Sequence, residues 1–325
     1  MDIDTKGTLI LGGKCIPTLE QAKGLRNKGC TYFEAHTTDK FMHEFNHNDL
    51  TQLLSNMKMY CVHSPMHNDI MEFTLGNSGA EYNKIFMGAM KHTLDFTNAY
   101  ANVIEPVVVL HTGVAVDLDK IYHKENIIKF KKEEMKIIQE QLYELENYRE
   151  MKKYNLKIAI ENTNFYTEKP FAVNGGATGT VRCVGGHYDT ANIVDIVNKD
   201  KVGTCLDLCH ALMDVLHLRI VDIESSESIK SFIAEFANNI NIVHFSNSIN
   251  FGLGKDHAQT YEGYEDLHRK VVKTLLQYNY DKVPWTLEVY EDAYVGESAY
   301  RNYAVTRDML LKEVEKINPS LEIIF

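Results

Sequence analysis

Several features are missing from this chain, and each absence narrows what it can be. No run of about 18 consecutive apolar residues occurs, so no segment is long enough to span a bilayer as a helix. The first residues, Met1-Asp2-Ile3-Asp4-Thr5, lack the basic-then-apolar order of a secretory signal. Cys15, Cys30, Cys61, Cys183, Cys205 and Cys209 are scattered without a Cys-x-x-Cys pair. In a chain this long such cysteines read as reduced thiols, and the expected location is cytoplasmic. Basic residues are the minority, 34 Lys and Arg against 45 Asp and Glu, for a net charge of −11. That balance disfavours a protein whose whole surface grips nucleic acid or anionic lipid. No proline-rich linker, low-complexity tract or short repeat divides the sequence, so residues 1–325 are expected to form one domain.

What remains is an ordinary globular composition, 44% hydrophobic and 24% charged over 325 residues. Short β-rich runs alternate with helical patterns, which argues for βα units and a parallel sheet. The expected strands are Thr8–Leu11, Tyr32–Ala35, Met59–His63, Val107–His111, Lys157–Glu161, Val202–Asp207, Ile242–Phe245 and Trp285–Val289. Their continuous apolar character suits strands buried on both faces. Between them, Leu19, Ala22 and Leu25 follow Pro17 at helical spacing, and Ile127, Phe130, Ile137, Ile138, Leu142, Leu145 and Tyr148 form one long stripe. Leu267, Val271 and Leu275 mark another helix, and Tyr300, Tyr303, Arg307, Leu310, Val314 and Ile317 mark the last. Eight such units predict an α/β fold, a single (β/α)8 barrel. An open doubly wound sheet would more often show a glycine-rich phosphate turn after its first strand, and Gly12-Gly13-Lys14 is too short for one. From Asn162 to Ile193 the sequence is glycine-punctuated and reads as a long loop after strand 5, either a lid or specificity loop or a surface excursion.

Histidines, 14 in all, matter more than their number suggests, because several close apolar runs. Strand three ends at His63, the fourth at His111, the fifth at Glu161, the sixth at Asp207 with His210 just beyond, the seventh runs through His244 and the eighth through Glu288. Parallel barrel strands bring their C-terminal ends to one mouth, where barrel enzymes keep their active sites. One such His or Glu has an ordinary structural explanation, a hydrogen bond or an ion pair. Six strands ending this way in order do not. Buried carboxylates need compensating charge, and mixed N and O donors suit Zn²⁺, Mn²⁺ or Fe²⁺ better than Ca²⁺. His67, His92, His123, His217 and His268 lack this placement and are expected to be structural or at the surface.

Through VHSP, VVVLHTG, IAIENT, GTCLDLCHA, IVHFSNS and WTLEVYE, the sequence resembles the xylose-isomerase-like barrel superfamily from about Thr8 to Val289. That superfamily joins sugar and sugar-phosphate isomerases and epimerases to apurinic-site endonucleases of the endonuclease IV type. The resemblance implies a central metal held by Glu161, Asp207, His244 and Glu288. It implies a second metal held by His63 and His111 with the shared glutamate, and makes His210 and His257 ligands of a third. Here Lys255 stands where the endonuclease pattern has an Asp two residues before His257, which puts a complete three-zinc site in doubt.

The leading expectation is a divalent-metal isomerase or epimerase acting on a sugar, sugar phosphate or related polyol. Glu161 and Glu288 would exchange a proton with carbon beside a carbonyl. The alternative is metal-assisted phosphodiester hydrolysis at abasic DNA, favoured by His63 and His111. A further alternative is a multinuclear iron oxidative enzyme acting on a peptide. Against DNA stands the charge of the loops after the strands. Lys14, Lys40, Lys169, Arg182 and Lys255 face Asp39, Asp69, Asp117, Glu168, Asp189, Asp256, Glu291 and Asp292. The expected partner is a small carbohydrate-like molecule, with Arg182 or Lys255 available for a single phosphate. Nucleic acid ranks below it, no membrane is involved, and self-association is left open. The expected cofactor is Mn or Zn at one site, with up to two more sites, and iron stays in the set.

Overall fold

The computed structural model describes residues 8–69, 71–117, 124–163, 166–167, 180–182, 184, 186–211, 233–234, 239–249, 255–258 and 265–325. Eight parallel strands form the barrel: β1 (Thr8–Cys15), β2 (Tyr32–His36), β3 (Lys58–His63), β4 (Val107–His111), β5 (Lys157–Glu161), β6 (Val202–Asp207), β7 (Ile240–Phe245) and β8 (Trp285–Leu287). Each pairs with the next, and β8 returns to β1 through Leu11↔Trp285, Gly12↔Thr286 and Gly13↔Leu287, closing the barrel. A short C-terminal strand, Glu322–Ile324, pairs parallel with Thr8–Ile10 at the start of β1.

The strands form where the apolar runs predict them. Long helices such as Ala80–Tyr100, Lys124–Lys152 and Arg301–Ile317 cover the outside. Inside the barrel, Tyr60, Cys61, Val107, Val109, Ala159, Cys205 and Ile242 pack into one cluster below the mouth. Strand β1 runs on through Gly12-Gly13, past the expected end at Leu11. Gly12 is required there, because a Cβ would collide with the Tyr60 ring and the Tyr32 carbonyl. Cys15, Cys30, Cys61, Cys205 and Cys209 are buried free thiols. No described helix is long and apolar enough to cross a membrane.

The expected loop from Asn162 to Ile193 is shorter than its glycines suggest. A helix begins at His187 and runs to Val197, and it docks because Ile193, Val194 and Val197 reach the outer core beside Ile138 and Leu142. Before it, Thr180–Arg182 pairs antiparallel with both Ala115–Asp117 and Tyr166–Thr167. The remainder of the expected loop, including its proposed lid or specificity role, lies outside the described residues.

Candidate metal centre

Strand register builds the mouth. His36 lies abreast of His63, His111 of Glu161, and Asp207 of His244. The ends of β5 and β6 are tied by Asn162, whose amide donates to the Asp207 carbonyl at 2.9 Å and accepts from the Asp207 N–H at 2.7 Å. The ligand-capable atoms of Glu161, Asp207, His244 and Glu288 all lie within 4.8 Å of one another. The same limit gathers His63, His111 and Glu161 into a second group, and Glu161, Cys205 and His244 into a third. Glu161 belongs to all of them.

Hydrogen bonds fix which ring nitrogen is free. His244 Nε2 donates to Glu34 Oε2 at 2.9 Å, so a neutral ring turns its Nδ1 lone pair towards the carboxylates. Glu288 Oε2 is 2.8 Å from that Nδ1, Glu161 Oε1 3.6 Å and Asp207 Oδ2 3.9 Å, yet the buried Nδ1 makes no hydrogen bond. A lone pair aimed at carboxylate oxygens is repulsive unless a proton or a metal cation lies between them. Although burial opposes a charge on His244, Cys205, Glu34, Glu161 and Glu288 raise its pKa well above the imidazole range, and a divalent metal fits the place of that proton. His63 also turns a ring nitrogen to a carboxylate, but there a hydrogen bond forms. Its Nδ1 donates to the Ser64 carbonyl at 2.9 Å, leaving Nε2 3.1 Å from Glu161 Oε2. His111 Nε2 stands 3.4 Å from the same oxygen.

Charges follow this packing. Burial alone would raise the Glu161 carboxyl, but His111 and His244 outweigh it and hold it well below the carboxylate range. Burial opposes a charge on His210, yet Asp207 and Glu161 push its pKa up to about 10. His210 stands beside the ligand groups, its Nδ1 donating to the Asn162 carbonyl at 2.9 Å, and it joins neither the central four nor the His63 group among the described residues. His257 and Lys255 fall on a short strand, Lys255–Ala258, and Arg182 on Thr180–Arg182. The side chains of all three lie outside the described residues, so the third-metal and phosphate expectations have no placement there.

Three groups escaped the sequence reading. Lys14 looked like a loop base, but it lies in β1, abreast of Glu34. Its Nζ donates to Glu288 Oε1 at 2.6 Å and stands 3.4 Å from Glu34 Oε1. Glu34 is fully buried in β2, and although burial would raise its carboxyl, His244 and Lys14 bring it down to about 2. The signal was present, a lone carboxylate inside Tyr32-Phe33-Glu34-Ala35-His36, but it sits mid-strand. His36 has a buried Nδ1 without a hydrogen-bond partner, and burial first of all holds its pKa near 3. Lys14, His36 and Glu288 line a pocket of about 300 Å³ with Cys15, Ile16, Gln21, Val289, Tyr290 and Tyr294. Two acids counted at the mouth serve the fold instead. Asp189 pairs with Lys131 at 2.5 Å, and Glu291 accepts from the Asn302 and Tyr303 N–H groups at the start of the last helix.

The xylose isomerase-like TIM barrel model matches residues 23–310. Among solved structures, the chain is similar to the IolI protein with a bound zinc atom, at 18% identity and a TM-score of 0.62, covering 94% of this chain and 98% of that one. It is similar to 3-keto-D-glucoside 4-epimerase from E. coli, at 11% identity and a TM-score of 0.61, covering 94% and 99%. It also resembles D-allulose 3-epimerase from Methylomonas sp. in complex with D-allulose, at 14% identity and a TM-score of 0.56, covering 96% and 97%. These likenesses carry the fold. No curated protein sequence matches the chain.

Proposed function

Because the chain belongs to the xylose isomerase-like TIM barrel family, we propose that it is a divalent-metal-dependent isomerase or epimerase of a small sugar, sugar phosphate or related polyol. The observation that carries this reading is the convergence of Glu161, Asp207, His244 and Glu288 within 4.8 Å, beside a pocket that Glu288 also lines. The sugar epimerases among the structural neighbours support the substrate class. A Mn²⁺ or Zn²⁺ ion bound by these four residues would supply a Lewis acid for a substrate carbonyl and its neighbouring hydroxyl. The protein supplies the proton transfers. One of the two glutamates takes the proton from carbon, the C–H electron pair passes to the carbonyl oxygen, and a proton is returned to carbon. Glu161 and Glu288 suit this pairing, because they come from strands three places apart around the barrel. Lys14 donates to Glu288 and fixes one of its oxygens. The neutral imidazole of His36 borders the pocket where a substrate would lie.

The test is proton–deuterium exchange in D₂O, read by NMR, over a panel of ketoses and keto-polyols with Mn²⁺ present. Exchange at the carbon next to the carbonyl is expected for at least one of them and falls about 10²-fold in Glu288→Gln. Undiminished exchange in both Glu288→Gln and Glu161→Gln would sink the proposal. A second reading, phosphodiester hydrolysis at abasic DNA, draws on the His63–His111–Glu161 group. Its test is cleavage of an abasic duplex with Zn²⁺. Little cleavage is expected, and efficient cleavage that depends on His111 would put hydrolysis first.

A further inference from the structure

Glu34 has no solvent exposure and no part in the proton transfers above. A carboxylate buried this deeply is costly unless its oxygens are held. Here Oε2 accepts from His244 Nε2 at 2.9 Å and from the Thr286 hydroxyl at 2.8 Å. The buried Tyr60 hydroxyl lies 2.6 Å from Thr286 Oγ1, which fixes that hydroxyl in turn. The other oxygen faces Lys14 at 3.4 Å, and Lys14 donates to Glu288 at 2.6 Å. One buried carboxylate thus reaches two of the four central groups, His244 directly and Glu288 through a lysine.

We infer that Glu34 is a positioning residue for the metal centre: it accepts the hydrogen bond of His244 Nε2–H, so that Nδ1 presents its lone pair to the ion, and it steers Glu288 through Lys14. This rests on the metal-binding reading given above. A simple ion pair with Lys14 does not account for the geometry. Lys14 lies closer to Glu288 than to Glu34, and the shortest contacts of Glu34 run to His244 and Thr286 on its other oxygen. Fold stability does not account for it either, since a buried ion pair is often replaced by apolar residues at no loss. A carboxylate behind a ligating imidazole does have a general consequence. It fixes the tautomer and ring orientation and raises the basicity of the nitrogen that faces the metal. The Thr286–Tyr60 clamp also keeps Glu34 turned to the back of the ring.

Glu34→Gln keeps the volume, removes the charge and brings an N–H donor that competes for the wrong tautomer. With the purified protein, chelator competition gives the Mn²⁺ and Zn²⁺ affinities, and visible absorption of the Co²⁺ form reports the ligand field. The variant should bind about 10- to 100-fold more weakly, as for other partners of ligating histidines. It should also show an altered Co²⁺ spectrum. Thr286→Val, which removes one bond to Glu34 at nearly constant shape, should weaken binding in the same direction by a smaller factor. It stands in if Glu34→Gln does not fold. Wild-type affinity together with a wild-type Co²⁺ spectrum in the folded variant would overturn this inference and leave the metal reading intact. Failure of the unaltered protein to bind any of these ions would overturn both.

Discussion

Glu161 ends β5 and Glu288 follows β8 at the same mouth, and both face His244, yet their other neighbours differ. Glu161 is 1% exposed and faces histidines: His63 at 3.1 Å, His111 at 3.4 Å, His210 at 3.5 Å and His244 at 3.6 Å. Glu288 is 19% exposed, is held by Lys14 at 2.6 Å, and lines the pocket. Imidazoles can take or give a proton or bind a metal, whereas a buried lysine between two carboxylates supplies a fixed positive charge. The Glu161 side is therefore arranged as a hub shared by more than one ligand group. The Glu288 side opens onto the pocket. Identical residue types at strand ends of one mouth acquire different surroundings from their neighbours.

The largest expected effect tests that asymmetry directly. Glu161→Gln should reduce carbon-proton exchange towards the upper end of the roughly 10²- to 10⁴-fold range of general acid–base catalysis. It should also lower the metal content of every site, measured by elemental analysis. Glu288→Gln should cost about 10²-fold in exchange and retain the ion at reduced affinity, because Glu161, Asp207 and His244 remain. Equal losses of exchange and of metal in the two variants would erase the distinction.

A smaller effect is expected on the histidine side. His63→Ala and His111→Ala should remove a second equivalent of Zn²⁺ while the central ion stays. Exchange should fall by about tenfold or less, which is about 1.4 kcal/mol of barrier. A loss of 10²-fold or more, with metal stoichiometry reduced to zero, would show that these histidines serve the central ion and that the two groups are one.

How much of this could be read beforehand depends on whether the signal lies within one strand or between two. Val107–His111, Lys157–Glu161 and Val202–Asp207 fall where their apolar runs put them, and the polar residue ending each run marks the mouth. The role of Glu34 and Lys14 is different in kind, because it lies in the pairing Lys14↔Glu34 and in contacts to β7 and β8, which no single segment displays. The expected strand stops at Leu11, but Gly12-Gly13 continues it, since the need for glycine comes from packing, of Tyr60 against Gly12 and of Leu25 and Tyr303 against Gly13. The helix at His187 was hidden by the glycines before it, although Ile193, Val194 and Val197 carry its buried face. Counting charges along loops likewise placed Asp189 and Glu291 at the mouth, where only the packing shows that one pairs with a helix lysine and the other caps a helix.

The smallest expected effect extends the comparison to histidines outside the mouth. At the mouth, neighbouring carboxylates overcome burial and push the His210 pKa up. His268, on the helix Glu265–Gln277, packs its ring 5.9 Å from Phe245 on the outer wall of the barrel. Burial pushes its pKa down to about 3, from 6.5. The sign of its effect on stability follows from linkage. Below pH 6.5 the unfolded chain binds a proton at His268 that the folded chain refuses until about pH 3, so stability is lost as pH falls through that window. By pH 5 the loss attributable to this one group is about 2 kcal/mol. His268→Gln, which keeps a polar side chain but cannot titrate, should flatten the acid side of the stability profile. Its melting temperature should fall between pH 7 and pH 5 by a few degrees less than that of the unaltered protein. Parallel profiles for the two proteins would mean that His268 takes up its proton in the folded state as readily as in the unfolded chain, and the contrast between mouth and wall would lose its basis.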